Sequence, residues 1–243
     1  MNTMTLKLAG AAILASLAVA ETPAATIYQD DFNRIGDLNG STPTVTTDGN
    51  VWHSTNWSTN GSEAITSAAG YLANIPFTPV QGKVYTMTLS MNPNGGGADS
   101  DWFAFGLTNR YATDNWFVDD QSSVSIFPRW KNNQYPDFYT NGPGSTGITS
   151  LGSFTEDVAH DYSIILDTTN ATAANWTAEY KVDGVTIIAA TTLGYTPTIN
   201  YIGFGSGGAT GTVDNFSLTV VPEPASLALL GLGAVALLRR RRA

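Results

Sequence analysis

The chain has 243 residues, no cysteine, 11 Lys and Arg residues and 20 Asp and Glu residues, which gives a formal net charge of −9. This length is enough to bury a sizeable core as a single domain, and the lack of cysteine excludes disulfides and thiol chemistry. The acidic balance argues against nucleic acids and anionic membrane surfaces as partners.

The first residues have the features of a secretory signal peptide. Lys7 precedes the apolar run LAGAAILASLAVA, which ends in the small residues Ala18-Val19-Ala20. A charged start, a short apolar run and an A-x-A end are what signal peptidase requires. Cleavage after Ala20 fits best and Ala25 competes with it, so we assign residues 1–25 to the signal peptide. Without both terminal signals, 6 basic and 18 acidic residues remain, a net charge of −12.

Apolar and polar residues alternate along much of residues 26–219, with the period of a half-buried β-strand. The pattern is clear in VYTMTLSM, DYSIILD and NFSLTVV. WTAEYKVDGVTII predicts a hairpin, because Asp183-Gly184 supplies a two-residue turn that tolerates positive φ. Further candidate strands are ITSAAGYLANI, WFAFGL, SVSIFPRW and INYIGFG. The absence of a fixed repeat disfavours a propeller or solenoid, so these strands predict an antiparallel sandwich or barrel.

No motif in the chain indicates catalysis, and we assign no catalytic residue. His53 and His160 are the only histidines and there is no G-x-S-x-G sequence, which leaves no nucleophile elbow. Two G-x-G-x-x-G matches, at residues 142–147 and 203–208, are not followed by a helical pattern. A dinucleotide site requires that helix to receive the pyrophosphate, so we interpret both as loop glycines.

Aromatic residues are concentrated between residues 102 and 139. Sugar rings stack on Trp and Tyr, while Asp, Asn and Arg bond the hydroxyl groups. Core packing accounts for some of these rings, and the loop sequence TNRYATDNWFVDDQ favours Tyr111 and Trp116 as the exposed ones. The candidate carbohydrate contacts are Trp102, Tyr111, Trp116, Asp119, Arg129 and Tyr139.

The chain ends in Pro222-Glu223-Pro224, a run without charges from Ala225 to Leu238, and the basic block Arg239 to Arg242. A membrane-spanning helix needs about 20 apolar residues, so this run is short for a permanent anchor. The arginines would stay on the cytoplasmic side of the membrane. We therefore expect a short hydrophobic helix that inserts transiently into the membrane.

These three parts, in this order, resemble the C-terminal signal of PEP-CTERM exported bacterial proteins. The resemblance implies processing near Pro-Glu-Pro by an exosortase, and a cell-surface or biofilm-matrix destination in a Gram-negative-type envelope. The residues that carry it are Pro222, Glu223, Pro224, Arg239 and Arg240.

The sequences YQDDF and VDNFSLTV resemble the first and last strands of concanavalin A-like jelly rolls. The resemblance implies two packed sheets, often with a glycan site on the concave face. In many such glycan-binding modules a structural calcium ion joins the first and last strands, and Asp30, Asp31 and Asp214 are similarly placed here. The glucanases of this fold carry E-x-D-x-E or E-x-D-x-x-E on one strand, and none of Glu63, Glu156 and Glu179 fits that pattern.

The sequence thus predicts an all-β, antiparallel two-sheet jelly roll over residues 26–219, with a sorting signal at residues 220–243. The expected function is non-catalytic binding of an extracellular polysaccharide, with calcium as the candidate cofactor. A purely structural matrix protein without a saturable sugar site is the first alternative, and a glycan hydrolase or lyase is the second.

Overall fold

The structure is a computed structural model, and it describes residues 23–66, 71–94, 102–113, 126–131, 134–140, 148–150 and 158–222. Within 126–131, 134–140 and 148–150 the structure describes the backbone alone. Residues 1–22 of the predicted signal peptide lie outside the described residues. So does the run from Glu223 onward, with the sorting residues Glu223, Pro224, Arg239 and Arg240 and the expected C-terminal helix. None of the described residues forms a helix long and apolar enough to cross a membrane.

The described residues form seventeen strands and one short 3₁₀ helix, Ala173–Asn175. The strands are β1 Ala25–Asp30, β2 Ile35–Asp37, β3 Val45–Thr46, β4 His53–Ser54, β5 Trp57–Asn60, β6 Ala64–Thr66, β7 Leu72–Pro76, β8 Lys83–Asn94, β9 Trp102–Thr108, β10 Ile126–Lys131, β11 Gln134–Thr140, β12 Ile148–Ser150, β13 His160–Asp167, β14 Thr177–Val182, β15 Val185–Thr192, β16 Tyr201–Gly207 and β17 Thr210–Pro222.

These strands build two antiparallel sheets, as the sequence predicts. Sheet A has ten strands in the order β15-β14-β13-β8-β17-β6-β5-β2, with β1 paired to β17 and β3 paired to β1. Sheet B has seven strands in the order β12-β11-β10-β9-β16-β7-β4. The all-β, two-sheet jelly-roll prediction is therefore confirmed.

Alternation decides which side of each strand enters the core. Tyr85, Met87 and Leu89 of β8 are buried against the opposite sheet, and the intervening residues are half-buried on the outer face. β13 and β17 repeat the pattern, with Ile164 and Leu218 both 1% exposed or less. Because the side-chain period of a strand is two, this alternation fixes the register of the sheet.

The predicted hairpin is present between β14 and β15. Asp183 and Gly184 have φ angles of 49° and 76°, the two positive values that a type I′ turn requires. The Asp183 carboxylate accepts hydrogen bonds from the Asp161 backbone N–H at 2.9 Å and is 2.8 Å from His160 Nδ1. Those contacts tie the turn to the start of β13.

Aromatic side chains fill the space between the sheets. Trp57 and Phe204 meet edge to face with ring centroids 4.7 Å apart, and Trp52 lies 5.0 Å from Phe216 in the same way. Trp52, Phe204 and Phe216 are completely buried. Edge-to-face pairs stabilise a core by about 0.5–1.5 kcal/mol beyond the area that they bury.

The first and last strands lie side by side, as the resemblance to jelly rolls implies. β1 pairs antiparallel with β17, and Ala25 at the start of β1 lies opposite Val220 near the end of β17. β17 is thus an interior strand between β8 and β1. Both ends of the domain leave it from neighbouring positions.

Candidate functional site

The outer face of sheet B carries one row of residues contributed by four strands. Phe103 and Phe105 of β9 belong to the core, so Gly106 lies on the opposite face. Gly106 is opposite Gly203 of β16, Gly203 is opposite Asn74 of β7, and Asn74 is opposite His53 of β4. Directly paired residues share a face of the sheet, so His53, Asn74, Gly203 and Gly106 form this row.

The middle of this face is covered. Leu72, Asn74, Ala104 and Thr108 are all 0% exposed, although none of them points into the core between the sheets. Among the described side chains of this face, the accessible ones therefore lie at its margin at β4 and in the segment that follows β9.

Three aromatic side chains meet at that margin. The Tyr111 hydroxyl lies 3.1 Å from His53 Nδ1, and the two rings have centroids 5.2 Å apart. Tyr201 also packs against Tyr111, with ring centroids 5.7 Å apart and an interplanar angle of 60°. Tyr111 is nevertheless 41% exposed, so this cluster of Tyr111, His53 and Tyr201, the tyrosine platform, presents a fixed ring to solvent.

Backbone contacts hold the segment that carries Tyr111. The Arg110 N–H donates to Thr108 Oγ1 at 3.0 Å, and the Arg110 carbonyl accepts from Asn74 Nδ2 at 2.9 Å. The Asn200 N–H donates to the Thr108 carbonyl at 3.0 Å. These bonds anchor residues 108–110 to β7 and to the chain before β16, so little ordering entropy is lost when a ligand meets the ring.

Asn74 carries a polar atom that is not satisfied within the described part of the chain. Its Oδ1 is buried and has no hydrogen-bond partner there, while its Nδ2 holds Arg110. A buried acceptor without a donor costs about 1–3 kcal/mol. Because Asn74 is 0% exposed, an unmet acceptor of this kind is a place where a buried water molecule could donate a hydrogen bond.

The structure separates the predicted carbohydrate contacts. Tyr111 lies on the tyrosine platform. Trp102 is 4% exposed, and its indole covers Gly207, where an added Cβ would be 2.3 Å from Trp102 Nε1. With so little of the ring exposed, Trp102 is withdrawn as a stacking surface.

Two more predicted contacts are placed by backbone register only. Arg129 lies opposite Ala104 of β9 and Asp137 of β11, and Tyr139 lies opposite Phe127 and Ile148. Both residues therefore belong to sheet B, whose strand β9 is followed by the segment that carries Tyr111. Trp116 and Asp119 lie outside the described residues, and their assignment stays a prediction.

Asp30 has a structural role that the sequence did not reveal. It is 0% exposed, and its two carboxylate oxygens accept hydrogen bonds from both terminal nitrogens of Arg34, from Trp52 Nε1 and from the Phe32 N–H. With both oxygens occupied in this way, Asp30 is withdrawn from the calcium assignment.

Asp31 and Asp214 remain as the candidate metal ligands. Hydrogen bonds from Thr44 and from the Asn33 N–H lower the pKa of the Asp31 carboxyl. Burial raises the pKa of the Asp214 carboxyl, and the negative charges of Glu63, Asp31 and Asp30 raise it further. Asp214 thus lies within the field of three other carboxylates. Among the described residues no group of three His, Cys, Asp or Glu side chains is arranged to hold a metal ion.

His53, Asn74 and Tyr201 were not predicted as site residues. His53 belongs to a strand of two residues and lies 58 positions from Tyr111 in the chain. Periodicity cannot detect an element this short, and no local pattern indicates a contact over that separation. The signal that was available was chemical, since His53 is one of only two histidines.

Comparison with known proteins identifies the C-terminal segment. Residues 220–242 match the family described as the PEP-CTERM protein-sorting motif. The chain ends in a PEP-CTERM motif. This motif confirms the resemblance seen in the sequence, and it indicates an exported protein that is processed at the cell envelope. Among curated proteins, none matches this chain in sequence.

Solved structures with the same architecture include enzymes and lectins. An endo-1,3-beta-glucanase from Streptomyces sioyaensis superimposes with a TM-score of 0.55 at 15% identity, covering 84% of this chain and 99% of the glucanase. Lectin II from Ulex europaeus gives a TM-score of 0.52 at 12% identity, covering 83% of this chain and 100% of the lectin. At these identities the likeness shows the fold, which is the concanavalin A-like jelly roll that the sequence predicts.

Proposed function

We propose that the protein is a non-catalytic polysaccharide-binding jelly roll that is exported and sorted to the cell surface or extracellular matrix. The observation that carries the proposal is the Tyr111 ring, which is 41% exposed and contacts both His53 and Tyr201 at the margin of sheet B. The PEP-CTERM motif supports the destination, and the glucanase and the lectin of the same architecture support the ligand class.

The chemistry of the tyrosine platform suits a sugar. Aromatic rings offer a flat apolar surface to the C–H face of a pyranose, and a few polar groups at the edge fix its orientation. Here the Tyr111 hydroxyl and His53 Nδ1, which lie 3.1 Å apart, are the polar groups beside the exposed ring. Because stacking involves little charge, binding of a neutral glycan should depend weakly on salt.

The positions of two glutamates support binding without cleavage. A retaining glycosidase needs two carboxyl groups about 5–5.5 Å apart across the scissile bond. Glu179 lies on β14 of sheet A, where it pairs with Lys181 at 3.3 Å and accepts from Thr186 Oγ1 at 2.8 Å. Glu63 lies between β5 and β6 of the same sheet, with its backbone bonded to Asn60. Neither is part of the tyrosine platform.

The test is a screen of the exported protein against immobilised polysaccharides with three substitutions. Tyr111→Ala removes the ring and should abolish retention, while Tyr111→Phe keeps the stacking surface and should retain most of it. We expect Tyr111→Ala to cost less than about 1 kcal/mol of stability, as for other surface substitutions. Trp116→Ala tests the predicted neighbour in the same way.

Three results would contradict the proposal. Retention that is unchanged in Tyr111→Ala moves the site elsewhere. An absence of saturable binding to any polysaccharide favours the purely structural matrix protein. Release of reducing ends or of unsaturated products from a bound polysaccharide establishes a hydrolase or a lyase.

A further inference from the structure

A cavity opens where β1 approaches the end of β7. Its volume is about 330 Å³, which is within the range of sites that bind small molecules. Ile27 of β1 and Tyr85 of β8 line it from sheet A, Pro76 lines it from sheet B, and Val80 lines it from the segment between β7 and β8. Asp48 lies on its polar side, and we call it the Asp48 cavity.

Two connections place the Asp48 cavity beside the tyrosine platform. Pro76, in the wall of the cavity, pairs in register with Tyr201 of β16, and directly paired residues share one face of a sheet. Tyr201 in turn packs against Tyr111. Along the chain, Asp48 belongs to the segment that leads into β4, the strand that carries His53. The cavity and the exposed Tyr111 ring therefore adjoin at the margin of sheet B.

Hydrogen bonds hold the wall of the cavity in place. The Tyr85 hydroxyl accepts from the Val80 N–H at 2.8 Å and donates to the Val80 carbonyl at 3.3 Å, which fastens the segment between β7 and β8 to β8. The Phe77 ring meets the Tyr85 ring edge to face, with centroids 5.2 Å apart. The Phe77 N–H donates to the Asn200 carbonyl at 2.8 Å. Because the wall is fixed without a ligand, little ordering entropy is lost on binding.

The polar side of the cavity is built around the Asp48 carboxylate. The Tyr28 hydroxyl donates to Asp48 Oδ2 at 2.5 Å, and Asn50 Nδ2 donates to the same oxygen at 2.8 Å. Asp48 Oδ1 accepts from Thr46 Oγ1 at 2.9 Å and from the Asn50 N–H at 3.1 Å. Burial opposes ionisation of Asp48, but the hydrogen bonds from Tyr28, the Asn50 N–H and Thr46 outweigh it and lower the pKa of the carboxyl. Asp48 is therefore charged at neutral pH.

This carboxylate excludes two classes of ligand from the cavity. Uronate, sulfate and phosphate groups are repelled by its negative charge. A carboxylate has about four lone-pair sites, and each oxygen of Asp48 already accepts two hydrogen bonds. It therefore has no site left for an ammonium group or a metal ion. The class that remains is an uncharged ligand.

An uncharged sugar matches the rest of the lining. Ile27 and Val80 offer apolar surface to the C–H groups of a pyranose, while Asn50 Oδ1 and the Thr78 hydroxyl are polar groups for its hydroxyls. Sites for small ligands combine an apolar surface with a few polar groups in this way. The adjoining tyrosine platform has the same combination, with the exposed Tyr111 ring next to a ring nitrogen.

We propose that the Asp48 cavity is a second sugar subsite and that the protein binds an uncharged polysaccharide, with one sugar unit on the Tyr111 ring and a neighbouring part of the same glycan in the cavity. The inference rests on the proposed function, since it assigns the class of polysaccharide and the extent of that site. Because linked binding events reinforce each other, an oligosaccharide that fills both subsites should bind more tightly than a sugar that fills one.

The first experiment measures retention of the exported protein on immobilised probes of two kinds. The uncharged probes are a β-1,3-glucan, a β-1,4-glucan and a galactan, and the acidic probes are alginate and polygalacturonate. We expect retention on an uncharged probe and none on the acidic probes. Calorimetry with soluble pieces of the retained probe should then show an affinity for the hexasaccharide that is at least about tenfold higher than for the monosaccharide.

The second experiment locates the glycan by its protection of a thiol. The chain has no cysteine, so Val80→Cys introduces a single thiol at a lining position that is 62% exposed. At about ten times its Kd, the hexasaccharide leaves about a tenth of the sites open, and alkylation by uncharged iodoacetamide should slow about tenfold. The matched control is Val185→Cys on β15, at a valine that is 63% exposed, and its alkylation rate should not change.

Failure of this inference and failure of the proposed function give different results. If Tyr111→Ala abolishes retention but the hexasaccharide does not slow alkylation of Val80→Cys, the tyrosine platform binds alone and the cavity is not a subsite. Retention on the acidic probes alone would overturn the assignment of an uncharged polysaccharide. If no probe is retained, or if Tyr111→Ala binds as wild type does, the proposed function fails and the second subsite fails with it.

Discussion

Arg34 donates two hydrogen bonds, each 2.7 Å long, to the two carboxylate oxygens of Asp30, which is completely buried. Trp52 Nε1 adds a third bond of 2.7 Å, so the aromatic core and the chain after β1 are joined through one carboxylate. The Arg34 side chain itself is 28% exposed. The ion pair of Arg34 and Asp30 therefore lies where the core meets the solvent.

Removal of Arg34 should be among the most destabilising single changes outside the apolar core. Arg34→Met keeps part of the aliphatic contact but leaves the Asp30 charge buried without its cation, which costs about 3–5 kcal/mol in comparable pairs. Denaturant unfolding measures the loss. Asp37→Asn, at a residue on the exposed strand β2, is the control and should stay within about 0.5 kcal/mol of wild type. A loss below about 1 kcal/mol for Arg34→Met would contradict the assignment.

Asp214 should lower stability at neutral pH when no metal is present. Because its pKa is raised in the folded protein, the folded state keeps the proton to a higher pH than the unfolded state. Stability then decreases as the pH rises from the ordinary aspartate value of about 3.9. With a chelator present, Asp214→Asn should raise the melting temperature at pH 7 and have little effect near pH 3.

The charge of Asp31 should have the opposite effect on stability at neutral pH. Its pKa is lowered by the hydrogen bonds from Thr44 and Asn33, so the folded state favours its charged form, and this contribution is lost as the pH falls through the folded-state pKa. Asp31→Asn should lower the melting temperature at pH 7 under the same conditions. Equal effects of the two substitutions would show that the local hydrogen bonds and charges do not act as described.

A calcium ion bound between Asp31 and Asp214 should offset the repulsion between their carboxylates. An ion that binds only the folded state raises the melting temperature according to its concentration. We expect calcium chloride to stabilise the wild type relative to chelator, and Asp214→Asn to lose most of that increment. Magnesium is the control, because it demands a tighter octahedral shell. If calcium leaves the melting temperature of the wild type unchanged, Asp31 and Asp214 do not form a calcium site.

Processing of the tail should leave a shorter surface form. We expect the mature protein isolated from the cell envelope to lack Arg239 to Arg242, as the PEP-CTERM motif at residues 220–242 indicates. Mass spectrometry of the C-terminal peptide decides the matter. Replacement of Pro222-Glu223-Pro224 by alanines should retain the arginines, and a surface form that carries them in wild type would contradict the prediction.

Most of the features that depend on residue alternation and turn chemistry could be predicted from the sequence. The faces of β8, β13, β14 and β17 and the Asp183-Gly184 turn follow from residue periods and positive φ. Contacts between short segments that lie far apart in the chain could not be predicted from the sequence. Asp30 was assigned to calcium because a sequence shows an acidic residue but not the Arg34 and Trp52 groups around it. The pairing of Tyr111 with His53 depends on β4, which has two residues and no detectable pattern.

The pairing of Ala25 with Val220 has a consequence for how the domain reaches its destination. The sorting motif begins at residue 220, within β17, so it follows directly on the strand that pairs with β1. Since β17 ends at Pro222, no spacer separates the folded domain from Pro-Glu-Pro. Cleavage near Pro-Glu-Pro, which the motif leads us to expect, would therefore take place next to the folded domain and leave a chain end close to an interior strand. The released protein would then carry no loose tail by which it could be degraded or recaptured.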